Sequence, residues 1–131
     1  MHSAIELRAE PVPDRLVVLR MGVNTLNDIA LARTCGDAYD EWGIHAFSVL
    51  ELPDNDWEQL ATVMPVVRKR SKAMEASGLE LLGDGFPLLP TRGRLHWSVV
   101  LSEPTPAQFE RVRRHFRGPI DIPVWEGRQI T

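Results

Sequence analysis

Residues Leu88 to Leu101 constrain this chain more than any other stretch. Leu88-Leu89 is a short apolar strand. Pro90-Thr91-Arg92-Gly93-Arg94 is a turn that carries two arginines, and Leu95 to Leu101 is a second strand. In that second strand Leu95, Trp97, Val99 and Leu101 alternate with His96, Ser98, Val100 and Ser102. A strand turns successive side chains to opposite faces, so His96 and Ser98 share one face and Trp97 projects from the other. The expectation is a hollow in which a proton donor/acceptor stands beside a hydroxyl, with Arg92 and Arg94 arriving from the turn.

The rest of the chain reads as alternating strands and helices. Residues 1–14 are an extended lead-in, because Pro11 and Pro13 bar a helix. Arg15 to Met21 is an aliphatic strand ended by Gly22. Asn24 or Thr25 caps a helix with an apolar set of Leu26, Ile29, Ala30, Ala38 and Trp42. Gly36 marks a break in it and Gly43 a stop. Ile44 to Glu51 is a strand with His45, Phe47 and Val49 on one face. Trp57, Leu60 and Ala61 form a short helical stripe. Pro65 opens a helix running to about Ser77. Leu79 to Leu82 is a strand or a helix end, and Phe86 to Leu89 a short edge strand. Thr105-Pro106-Ala107-Gln108 is a helix start with cap, first-turn proline and capping glutamine. Phe109, Val112 and Phe116 face inward from that helix. Ile120 to Trp125 is a last strand. This order predicts one α+β domain over residues 1–131: a ferredoxin-like β-α-β/β-α-β sheet with a helical insertion between the halves.

Composition narrows the class. At 131 residues the chain buries one core, and no apolar run nears the roughly 20 residues of a membrane span. The N-terminus lacks the basic start and apolar middle of a signal peptide, and Cys35 stands alone, so a cytoplasmic, reducing location is expected. The histidines at 2, 45, 96 and 115 lack metal-site spacing, and no metal or cofactor is implied. Cys35 neighbours Asp37, Asp40 and Glu41, which disfavour a thiolate. Residues 1–60 carry 4 Arg against 11 Asp/Glu, and residues 61–131 carry 11 Lys/Arg against 7 Asp/Glu. The basic runs at 68–72 and 111–117 read either as solvated faces or as contacts for an anionic partner.

Two segments echo each other. His45 to Leu50 leads through Pro53 to Trp57-Glu58, and His96 to Leu101 leads through Pro104 and Pro106 to Phe109-Glu110. His96-Trp97-Ser98 resembles one of the two His-x-Ser/Thr motifs of the 2H phosphoesterases. The resemblance implies histidines acting as acid and base on a phosphodiester. In His45-Ala46-Phe47-Ser48 the hydroxyl comes one residue late and departs from that motif. Arg20-Met21-Gly22 with Phe47-Ser48-Val49 resembles the Arg and Ser strands of ADP-ribosyltransferases, which implies an arginine gripping a dinucleotide; the accompanying Glu-x-Glu is absent. Over most of residues 15–101, Val18 to Gly22, Phe47-Ser48-Val49, Leu89-Pro90-Thr91 and His96 to Val99 look like an uncharacterised group of small bacterial proteins. That likeness brings no activity.

Two functions follow as expectations. The first is a metal-independent hydrolase or transferase acting on RNA or a nucleotide phosphodiester, toxin- or defence-like by analogy. In it His96 and His45 are the acid/base pair and Ser98 is a substrate hydrogen bonder. Arg92, Arg94 and Arg20 hold the phosphate. The second is a non-catalytic interaction module that binds a partner protein or self-associates through charge-asymmetric surfaces.

Overall fold

The computed structural model describes Pro13, residues 15–91 and residues 93–123. Arg92, Trp125, His2 and most of the lead-in fall outside the described residues. The architecture is α+β, with helical segments interposed between strands. Its strands are β1 (Val17–Met21), β2 (His45–Glu51), β3 (Lys72–Ser77), β4 (Leu88–Pro90), β5 (His96–Leu101) and β6 (Arg117–Asp121). Its helices are α1 (Asp28–Trp42), α2 (Trp57–Val63), α3 (Gly78–Gly83) and α4 (Pro106–Arg113). The six strands form one sheet in the order β4-β5-β2-β1-β3-β6, and each pairing is antiparallel.

The connectivity is not the split β-α-β of a ferredoxin-like sheet. β1 and β2 are direct antiparallel neighbours with no strand between them. Their pairing covers only Val18 with Glu51 and Leu19 with Leu50. β2 pairs with β5 over a longer register, from His45 with Leu101 to Leu50 with His96. The first half of β2 therefore extends beyond its partnership with β1, and α1 packs against it.

Both faces of the sheet are covered. One face carries Val18, Phe47, Val49, Trp97, Val99 and Leu101 and packs against Leu31 and Cys35 of α1, Leu81 of α3, and Phe109 and Val112 of α4. The other carries Leu19, Leu50 and Ala73 and packs under Leu60 and Ala61 of α2 and Val67 of the 3-10 turn Pro65–Lys69. Each fully buried aliphatic side chain contributes on the order of 1.5–3 kcal/mol.

Local signals account for several boundaries. Thr105 caps α4, its side chain accepting from Gln108 N, with Pro106 at the first helical position. Gly43 ends α1 in the left-handed region at φ 78°. The α1 cap is Asn27, whose Oδ1 accepts from Ala30 N at 2.8 Å, in place of Asn24 or Thr25. The helix runs unbroken through Gly36, and its buried stripe is Leu31, Cys35 and Ala38.

The helix expected from Pro65 to Ser77 is instead a 3-10 turn followed by β3, next to the centre of the sheet. Ala73 and Ala76 lie three apart and mimic a helical stripe. In the fold they pack on opposite faces, each into its own core. A strand covered on both sides loses its period-2 pattern, and with it its signature.

Candidate functional site

Thr91 is the residue that organises the polar cluster on β5. The β4–β5 hairpin closes with Thr91 N donating to His96 O at 3.0 Å, and Leu95 at φ 62° and Gly93 at φ 99° take the left-handed turn positions. Leu89 faces Ser98 across the hairpin, so Thr91, two residues on, comes to the same face. Thr91 Oγ1 stands 2.9 Å from His96 Nδ1 and 2.9 Å from Ser98 Oγ. One hydroxyl proton serves one partner at a time. When His96 Nδ1 is unprotonated, Ser98 donates to Thr91 and Thr91 donates to His96. All three are buried, at 7 % exposure for Thr91, 9 % for His96 and 1 % for Ser98.

Ser48 lies opposite Ser98 in the β2–β5 register and joins this cluster to Arg20. Arg20 Nη1 donates to Ser48 O at 2.8 Å and lies 3.5 Å from Ser48 Oγ. Its Nη2 lies 3.5 Å from Thr34 Oγ1 on α1, and its Nε 3.4 Å from Thr25 O. The guanidinium carbon stands 5.6 Å from the centre of the Phe47 ring. Burial lowers the Arg20 pKa, opposed by the nearby Cys35.

Two small hollows meet at Ser48 and His96. One, of about 160 Å³, lies against α1 and is bounded by Thr34, Asp37, Glu41 and Ser98. The other, of about 200 Å³, lies between β1 and β2 and is bounded by Arg20, Met21, Leu50 and Met64. The first is edged by carboxylates, where an arginine-lined hollow was expected. Arg94 is exposed on the turn and lines neither.

His45 is not brought to this cluster. It pairs with Leu101, whereas His96 pairs with Leu50, and the alternation places the two imidazoles on opposite faces of the sheet. His45 stacks on Tyr39 of α1, with ring centroids 4.6 Å apart, and its Nδ1 is buried without a hydrogen-bond partner. The echo between the two segments is thus an antiparallel pair with its histidines turned apart. Of the six residues expected at a site, the fold groups His96, Ser98 and Arg20, and leaves His45 and Arg94 elsewhere. Thr91, Ser48 and Thr34 are additions. Thr91 was accessible from the hairpin's own alternation, because it follows Leu89 by two. Thr34 was not, because its role depends on how α1 packs.

Five residues of the basic runs, Arg68, Lys72, Arg111, Arg113 and Arg114, enter intramolecular pairs. Arg113 Nη1 lies 2.8 Å from Asp28 Oδ1, Arg111 Nε 3.5 Å from Asp84 Oδ2, and Arg114 Nη2 2.7 Å from Glu110 Oε1. Lys72 pairs with Asp121, and Arg68 Nη2 lies 4.0 Å from Glu58 Oε2.

A larger groove lies beside the first turn of α1. It has a volume of about 650 Å³, with Leu26, Met74 and Phe116 among its apolar walls and Asp28 and Arg113 on its rim. Ile29 stands at its edge with 75 % of its surface exposed, and Val23 is also exposed.

Among the described residues, no group of three or more His, Cys, Asp or Glu is placed to hold a metal ion, and no helix is long and apolar enough to cross a membrane. No family model, curated protein or solved structure matches the chain at a significant level.

Proposed function

We propose that this protein is a non-catalytic interaction module that pairs with a second copy of itself through the groove beside α1. The observation that carries this reading is Ile29, an exposed β-branched knob at the edge of an apolar hollow of about 650 Å³. Knob and hollow on one patch are self-complementary. A two-fold axis lets Ile29 of each copy enter the hollow of the other. On the rim Asp28 and Arg113 pair with each other at 2.8 Å, so the patch brings no unpaired charge from these two groups into a contact. Exposed apolar surface rimmed by polar groups is the usual mark of an association surface.

Three features favour this reading over a phosphodiester hydrolase or transferase. His45 and His96 face opposite ways, so they do not form an acid/base pair on one substrate. His96 Nδ1 and Ser98 Oγ are both engaged by Thr91. Arg111, Arg113 and Arg114 of the basic run on α4 pair with carboxylates of the same chain. Apolar contact rather than charge asymmetry carries the association.

Sedimentation equilibrium over a range of concentrations and salt tests this. The expected result is a mass approaching twice the 14.8 kDa chain mass that does not fall as salt rises. Ile29→Asp is expected to return the monomer with its far-UV circular dichroism unchanged and its melting temperature no longer dependent on protein concentration. A wild-type monomer at all concentrations, or an Ile29→Asp variant that still pairs, overturns the proposal.

A further inference from the structure

The sheet is incompletely closed between Arg20 and Ser48. β1 and β2 pair only at Val18/Glu51 and Leu19/Leu50. Past that point β1 keeps its register with β3 through Met21, and β2 keeps its register with β5 through His45. The slot of about 200 Å³ described above opens where they part.

Among the described residues, Arg20 is the one charged residue that lines this slot. A guanidinium has five N–H donors in a rigid fork. Here one hydrogen bond is short, to Ser48 O at 2.8 Å, and the others are long, at 3.4 or 3.5 Å. Every acceptor it meets is neutral, and no carboxylate among the described residues pairs with it. A cation drawn out of water without a counter-charge is costly, and an anion delivered to its fork recovers that cost. Burial likewise lowers the Arg20 pKa, with Cys35 opposing it.

The walls restrict which anion fits. Met21, Leu50 and Met64 are apolar, and Ser48 and His96 supply the polar edge. A phosphate dianion would bring a second charge with no second Lys or Arg among the described lining residues to meet it. A carboxylate matches the guanidinium fork by two parallel hydrogen bonds. The slot is smaller than the roughly 300 Å³ at which pockets for drug-sized ligands begin, so the body attached to the carboxylate is short. We propose that the slot between β1 and β2 binds a short aliphatic monocarboxylate, its carboxylate on Arg20 and its chain along Met21, Leu50 and Met64. The slot and the groove beside α1 share no lining residue among those described, and the proposal does not depend on self-association.

Butyrate and its neutral isostere butyramide separate the charge from the shape. Both are titrated into the ¹⁵N-labelled wild-type protein, and amide shifts are followed with the melting temperature. Butyrate is expected to shift the amides of Arg20, Ser48 and Leu50 saturably and to raise the melting temperature with concentration. Butyramide is expected to do neither. Arg20→Lys, which keeps the charge but loses the fork, is expected to weaken butyrate binding at least about tenfold. Equal responses to the two compounds, a saturable response to inorganic phosphate but not to butyrate, or no saturable shift by either each overturn the proposal. Should Arg20→Lys fail to fold, the wild-type comparison decides alone.

Discussion

Thr91 Oγ1 lies 2.9 Å from His96 Nδ1, across a hairpin whose turn separates the two residues by only five positions. The same hydroxyl reaches Ser98 at 2.9 Å, so a single threonine meets both polar side chains that β5 turns to this face. A buried imidazole and a buried hydroxyl are expensive to leave unpaired, and Thr91 answers both.

Replacing Thr91 tests that account. Thr91→Val keeps the shape and removes the hydroxyl, which leaves His96 and Ser98 buried without it. Stability is expected to fall by about 1–3 kcal/mol, while Thr91→Ser loses less. In a double-mutant cycle Ser98→Ala should cost less on the Thr91→Val background than alone, because the two share one network. Urea unfolding measures all four proteins; additive effects would contradict the shared network.

Two glycines are expected to respond in opposite directions to alanine. Gly36 sits inside α1, and a Cβ built there meets nothing within 4 Å. Gly36→Ala should stabilise by about 1 kcal/mol through helix propensity. At Gly78 a Cβ would stand 2.7 Å from Leu16 Cδ2, and Leu16 is itself buried in the core. Gly78→Ala should destabilise, as overpacking does, typically by about 1–3 kcal/mol. Thermal unfolding of the two variants checks both signs.

Asp84 links the turn after α3 to the end of α4. His115 Nε2 lies 2.8 Å from Asp84 Oδ2, and Arg111 Nη2 donates to Asp84 O at 2.7 Å. The hydrogen bond from His115 is the largest cause that holds the Asp84 carboxyl below its ordinary value of 3.8, with Arg111 adding to it. A carboxyl whose pKa is lower folded than unfolded stabilises the fold above its unfolded value. That contribution is lost as pH falls from the ordinary carboxylate range through the folded value. The melting-temperature gap between wild type and Asp84→Asn should therefore be constant at mildly acid pH and close as pH falls below about 4. A gap that widens toward low pH would contradict the assignment.

Cys35 is fully buried on α1, and burial pushes its thiol up to about 11, opposed in part by Arg20. The thiolate is the reactive form, so at pH 8 the native thiol should be nearly inert. Labelling by a chromogenic disulfide is expected to be at least about 100-fold slower in the native protein than in urea, since local opening limits access. Fast native labelling would show that the α1 packing opens readily.

Local chemistry alone marked the parts of this fold whose signal lies along the chain. The alternation from Leu95 to Leu101 set the two faces of β5, and Trp97 does pack in the core opposite His96. Thr105-Pro106 set the start of α4, and Gly43 the end of α1. These signals involve residues within a turn or two of each other, and a strand pleat or helix cap is complete within that span. Contacts from distant segments decided the rest. Lys72–Ser77 became a strand because β1 and β6 flank it and both of its faces are covered, which erased the pattern that would have announced it. Ile29 was left outside because α1 turned Leu31, Cys35 and Ala38 inward. His45 was parted from His96 by an antiparallel register of β2 on β5 that neither strand encodes by itself. Which side of an element is buried depends on what covers it, and in this molecule the covering pieces come from far along the chain.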